Sequence, residues 1–194
     1  MLIGKPKAKE RAGARIGLNA QLLALGESYR SAGISNYIYQ MVRHLPAASD
    51  FTYTAWTSER GGELAGVERR VTPLPTRRPM VRILWEQLLQ PYALLTVRPA
   101  LLHGMAFVLP LWLSVPGVIT VYDLTFLRVP EAFRPANRLY LRTLTALSAR
   151  RAACVCAISE HGKVDIARHL TVPEEKITVV YPGLDPRFAA LPTP

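Results

Sequence analysis

Apolar positions along this chain switch repeatedly between a period of two and a helical period, with turn residues at the joins. Arg15 to Leu23 (RIGLNAQLL) reads as a first strand, followed by a loop, Ala24 to Gly33, that holds Gly26, Ser28, Ser31 and Gly33. Ile34, Ile38, Met41, Val42 and Leu45 then fall at helical spacing, predicting a helix from about Ser35 that Pro46 stops. Tyr53 to Thr57 and Val67 to Pro73 are short strand candidates around an Arg60-Gly61-Gly62 turn. Met80 to Leu95 is strongly helical, with Arg82, Glu86 and Gln90 as a narrow polar stripe on an otherwise apolar cylinder, so most of it is expected to be buried. Leu101 to Phe107 and Val118 to Leu124 read as strands. A helix from about Pro135 to Ala152 follows, with Arg134, Arg138 and Arg142 on a basic face and Leu141, Leu144 and Leu147 on an apolar one.

The pattern is sharpest in Cys154 to Asp185. A strand from Cys154 to Ile158 runs into Ser159, a short amphipathic helix, a Val-Pro break and a second strand ending at Pro182-Gly183. Short strands alternating with helices argue for an α/β fold: a Rossmann-like three-layer domain with a mainly parallel sheet of about seven strands and helices on both faces. In such a sheet ligands bind at the carboxyl edge of the strands.

Composition narrows this only a little. The chain has 194 residues, 49% hydrophobic and 20% charged, enough material for one core. Its formal net charge of +10, mostly arginine, predicts attraction to phosphates, nucleic acid or an anionic membrane, or simply a solvated basic face. Cys154 and Cys156, one residue apart on a strand, read as small core residues in a reducing compartment. The basic leader, residues 1–14, lacks the apolar stretch of a secretory signal and is expected to be poorly ordered. Pro99 to Tyr122 carries no Asp, Glu, Lys or Arg, but prolines at 99, 110 and 116, two glycines and His103 interrupt it, so two buried strands and a Pro-rich loop fit better than a membrane span.

Several residues could carry chemistry. Gly33, Ile34 and Ser35 sit where a loop enters a helix; the free N–H groups there make either a phosphate cradle or a plain helix start. The chain holds no G-x-G-x-x-G, so a dinucleotide cofactor is not supported. Tyr122-Asp123 at a strand end is the catalytic candidate: Asp123 either hydrogen-bonds sugar hydroxyls or orients a neighbouring catalytic group, or else caps its turn. His103 ends the preceding strand in the same way, as a structural or a site histidine. Ser159 is expected to be the N-cap of the next helix, with Glu160 able to face a cleft.

Taken together, RIGLNAQLL...GISNYIYQMVRHL, LLHGMAFVLP, GVITVYDLTFLRVPE and AISEHGKVDIARHLTVPEEKITVVYPGLDPRF resemble the N-terminal half of a glycosyltransferase of family 4, a retaining group with the GT-B fold. The resemblance implies residues 15–185 as an acceptor-side domain, with 186–194 opening an interdomain linker toward an absent donor-binding domain. It implies a nucleotide-sugar donor as substrate, no metal, and a glycan or lipid-linked acceptor. Gly33 matches the family's loop, while Ser35 stands where a second glycine is usual. Tyr122-Asp123 stands where many relatives have His-Asp near the reacting sugar; tyrosine can donate a hydrogen bond but cannot reproduce imidazole's charge. His103 and Glu160 fall where the family lines the acceptor cleft. The expected setting is cytoplasmic polysaccharide biosynthesis, with peripheral contact on the inner membrane face as an addition, and these residues alone are expected to fold without turning over. The reading from another class is a stand-alone basic binding module for nucleic acid or an anionic surface. It rests on charge alone, because no nucleic-acid motif is present.

Overall fold

The computed structural model describes residues 13–25, 33–129, 131, 133 and 135–183. Seven strands form one sheet in the order β3-β2-β1-β4-β5-β6-β7: β1 Arg15–Asn19, β2 Thr52–Thr57, β3 Val67–Val71, β4 Leu101–Gly104, β5 Gly117–Val121, β6 Cys154–Ala157 and β7 Ile177–Val179. Every pairing is parallel, so the sheet expected to be mainly parallel is wholly so. A parallel sheet must be covered on both faces, and the alternation of side chains along each strand supplies two separate cores. On one face Ile38 and Val42 of α1 (Ile34–Ala48) pack on Ile16, Leu18, Tyr53 and Ala55. On the other, Trp56, Leu102, Ile119, Val121 and Val155 meet α3 (Gln90–Val97), α5 (Pro135–Arg151) and α6 (Glu160–Leu170) through Leu94, Val97, Ala149, Ile166 and Leu170, joined by Trp85, which directly follows α2 (Pro79–Leu84). α4 (Thr125–Arg128) is a single turn after β5. Pro99 to Tyr122 is strand, loop and strand, and no described helix is long and apolar enough to cross a membrane.

Some expectations shift. Strand β1 ends at Asn19 and the chain turns at once, Leu23 N–H reaching the Ala20 carbonyl at 3.0 Å. Pro46 lies inside α1, which continues to Ala48. A proline near the end of a helix removes one bond and leaves few later turns to disrupt. Before β1, the Gly13 N–H bonds the Asp50 carbonyl and the Ala14 carbonyl accepts from the Thr52 N–H. Residues 1–12, 26–32 and 184–194, and with them Gly26, Ser28, Ser31 and the linker, lie outside the described residues, as does Arg134.

The largest departure is the rod from Pro79 to Val97. The stripe Glu86 and Gln90 is buried, while Met80, Leu84, Leu88, Tyr92 and Leu95 are exposed. The rod is α2, a π-helical turn at Trp85–Leu89, and α3. Pro91 has no N–H and its ring crowds the carbonyl four residues back, and the widened turn spans that carbonyl. Polar partners then draw the stripe inward: Asn19 Nδ2 donates to Glu86 Oε1 at 3.2 Å and Gln90 Oε1 at 3.3 Å, and the Tyr140 hydroxyl donates to Glu86 Oε2 at 3.1 Å. In α5 likewise Thr145, Ser148 and Ala149 are buried while Leu147 is exposed and Leu141 and Leu144 are only partly covered. Ser148 earns its interior position by taking the Leu109 N–H at 2.9 Å.

Candidate functional site

Strand order reverses direction between β1 and β4, the position at which doubly wound sheets place a ligand crevice, at the carboxyl ends of the strands. Residues from four strands reach that edge: Asn19 ends β1, and of the sequence-predicted positions His103 lies in β4, Tyr122-Asp123 follows β5 and Ser159 follows β6. Gly33 precedes α1 with φ 56° and ψ −117°, a backbone conformation open to glycine and strained for other residues. Gly104 is needed for a different reason. A Cβ there would lie 2.6 Å from the Val108 carbonyl oxygen, so the loop leaving β4 can fold back only over a glycine.

Tyr122 is buried and its hydroxyl donates to the Met105 carbonyl at 2.7 Å, tying the β5 exit to the β4 exit. Its ring stands edge-on to Tyr37 (centroids 5.2 Å) and Phe107 (5.7 Å). Burial, reinforced by Tyr37 and Cys156, raises its pKa well above the usual tyrosine value, so the proton stays on the phenol. Asp123 is exposed, and its Oδ1 accepts the Thr125 N–H at 2.8 Å, closing the turn into α4. The His103 Nε2 lies 2.8 Å from Thr120 Oγ1 on the adjacent strand. An edge of the residue is accessible, yet desolvation lowers its pKa to about 4 and keeps the imidazole neutral at ordinary pH. Ser35 is buried, and its hydroxyl takes the Ala24 N–H at 2.8 Å and returns a bond to the Ala24 carbonyl at 3.2 Å. That hydroxyl closes the base of the loop rather than facing the crevice. Ile34 is half-buried against the α1 core.

Ser159 caps α6, accepting the Gly162 N–H at 3.0 Å, and Glu160 is exposed in the first turn. Between the β5 exit and this cap lies an open depression of about 130 Å³ lined by Tyr122, Asp123, Thr125, Arg128, Ser159 and Asp165 among others. Arg128 Nη1 bridges its wall, 3.1 Å from Asp165 Oδ2 and 3.3 Å from His161 Nε2. The structure thus brings Tyr122, Asp123 and Ser159 to one depression, while Gly33, Ile34 and Ser35 stand apart from it at the start of α1 and His103 lies in β4. Glu160 adjoins the cap without lining the depression. Sequence reasoning missed Thr125, Arg128 and Asp165, whose only signal was proximity in the chain to residues already singled out. It also missed Tyr37, which an aromatic in the first turn of a helix does not announce. Cys154 and Cys156 are free thiols; burial, then Cys154, pushes the Cys156 thiol up to about 12 and keeps it unreactive.

A doubly wound, wholly parallel sheet with its crevice at this switch point is the architecture of half a GT-B enzyme, and solved GT-B structures overlay on it. The chain belongs to Glycosyltransferase Family 4, matched over residues 31–188. It is similar to a glycosyltransferase from Rickettsia africae ESF-5 (15% identity, 93% of this chain and 46% of that one, TM-score 0.54). It is also similar to sucrose-phosphate synthase from Thermosynechococcus elongatus (15% identity, 90% and 49%, TM-score 0.64). A third similar structure is Anabaena HepE in complex with UDP-glucose (16% identity, 89% and 44%, TM-score 0.52). The chain therefore spans about half the length of these solved proteins. No curated protein matches the sequence.

Proposed function

We propose that this chain is the acceptor-side half of a retaining glycosyltransferase that moves a sugar from a nucleotide-sugar donor to a glycan or lipid-linked acceptor. The observation that carries the reading is the depression between β5 and α6, where Asp123 and the capped N-terminus of α6 face one opening at the carboxyl edge of the sheet. At about 130 Å³ it is much smaller than a typical pocket of roughly 300–1,000 Å³, which suits one wall of a cleft closed by a second surface. The HepE structure with UDP-glucose supports a nucleotide sugar as donor.

In this reading Asp123 accepts hydrogen bonds from acceptor hydroxyls, with its orientation fixed by the Thr125 N–H. Tyr122 is a positioning residue: its hydroxyl holds the β4 exit against the β5 exit and leaves no proton to transfer. The phosphate grip and the cations that stabilise the departing diphosphate belong to the donor side. The test is a glycan and lipid-linked saccharide binding array read with the chain and with Asp123→Asn. Saturable binding that the variant weakens about tenfold, the scale of a lost charge-assisted hydrogen bond, supports the reading. Binding unchanged by Asp123→Asn overturns it.

A further inference from the structure

We infer that the exposed apolar ridge of the Pro79–Val97 rod docks on an anionic lipid bilayer surface. This inference stands apart from the proposed sugar-transfer role, since bilayer contact needs none of the crevice residues. Met80, Leu84, Leu88, Tyr92 and Leu95 recur at spacings of three and four, so they form one ridge along the rod. Each is more than half exposed, from 54% at Leu84 to 69% at Tyr92. Gln87 pins the loop after β4 beside them, donating to the Leu109 carbonyl at 3.2 Å and accepting the Leu111 N–H at 2.9 Å. That brings Trp112, 82% exposed, alongside the ridge. Trp85 is buried and takes no part in the ridge. A row of leucines flanked by an exposed tyrosine and tryptophan is the composition of an interfacial helix, apolar below and amphipathic at headgroup level.

Charge selects the partner. From Gln87 to Tyr122 the chain carries no acidic residue, and the one acid of the rod, Glu86, is buried on the opposite side. The exposed cations Arg78 and Arg98 stand at the two ends of the rod, and Arg151 adjoins Trp112 by donating to the Leu111 carbonyl. A second copy of this chain would bring arginines against arginines under a net charge of +10, whereas anionic headgroups neutralise them. The rod lies flat rather than inserting, because Trp85, Leu94 and Val97 hold its other face on the sheet.

The experiment is vesicle flotation of the chain on phosphatidylcholine alone and on phosphatidylcholine with about one-third phosphatidylglycerol, at low and high salt. The expected result is partition onto the anionic vesicles at least about tenfold above the neutral ones, reduced by salt. Leu84→Ser with Leu88→Ser is expected to lower it by roughly a hundredfold, since each buried leucine is worth about one decade or more. Trp112→Ser, on a loop outside the core, lowers it independently and guards against a folding defect in the double variant, whose circular dichroism is compared in parallel. Equal flotation on both vesicle types, no flotation, unchanged binding by both variants, or a dimer in sedimentation that the variants dissociate overturns the inference.

Discussion

Replacing Glu86 by glutamine should remove a pH dependence from folding. The carboxyl lies fully buried beneath the rod, and desolvation raises its pKa from 4.5 to about 7, partly offset by Arg82, Asn19 and Tyr140. The native state therefore holds a proton that the unfolded chain releases near 4.5. Glu86 leaves stability intact below the unfolded value, withdraws it progressively as pH rises through the folded value, and has no further effect above it. A displacement of that size corresponds to about 3 kcal/mol in full, of which about 2 to 3 kcal/mol falls between pH 5 and pH 8. In Glu86→Gln the amide oxygen can keep the bond from Asn19 and the amide N–H can donate to the Tyr140 oxygen, so no partner is orphaned. Urea unfolding of both proteins across that range is the assay. The stability of the variant relative to the parent should climb by about 2 to 3 kcal/mol from pH 5 to pH 8. Parallel curves would refute the reasoning, and a variant less stable at every pH would mean that the network depends on the ionised carboxylate.

Other expectations follow from single contacts. Gly104→Ala should cost about 1–3 kcal/mol in thermal or urea unfolding, because its methyl meets backbone at Val108 that cannot swing aside. Tyr122→Phe removes the bond to Met105 and leaves that carbonyl unpaired, for a loss of about 1–2 kcal/mol by urea titration, with acceptor binding weakened through displaced loops rather than by a changed pH profile. Ser159→Ala deletes the cap on Gly162 and should cost about 1 kcal/mol, with faster amide exchange confined to the first turn of α6.

Where local pattern and tertiary demand agreed, the sequence was readable. Strands β5 and β6 and helix α6 fell at their expected places because β-branched runs, a serine cap and a Val-Pro break all pointed one way. The parallel sheet followed from alternation of elements. The orientation of the Pro79–Val97 rod did not follow, because periodicity identifies two faces without saying which one turns inward. Asn19 and Tyr140, distant in sequence, decided that by hydrogen-bonding Glu86. The edge strand β3 was legible as a strand, but not its parallel pairing with β2 across a connection without a helix. There Arg69 fastens the loop, donating to the carbonyls of Arg60, Gly61 and Gly62. At the candidate site the named positions were readable from their strand ends. What each hydroxyl and carboxylate actually holds, such as Ser35 on Ala24 or Tyr122 on Met105, depended on loops whose path no local pattern specifies.

The acceptor-side reading is tested most directly by mapping backbone amide shifts of this chain as a bound saccharide from the array and, separately, UDP-glucose are added. The account predicts that the saccharide moves the amides of Asp123, Thr125, Ser159 and Gly162 at the depression, and that UDP-glucose moves them little and is not turned over. Saccharide shifts that spare this edge of the sheet, or sugar transfer by the chain alone, would contradict it.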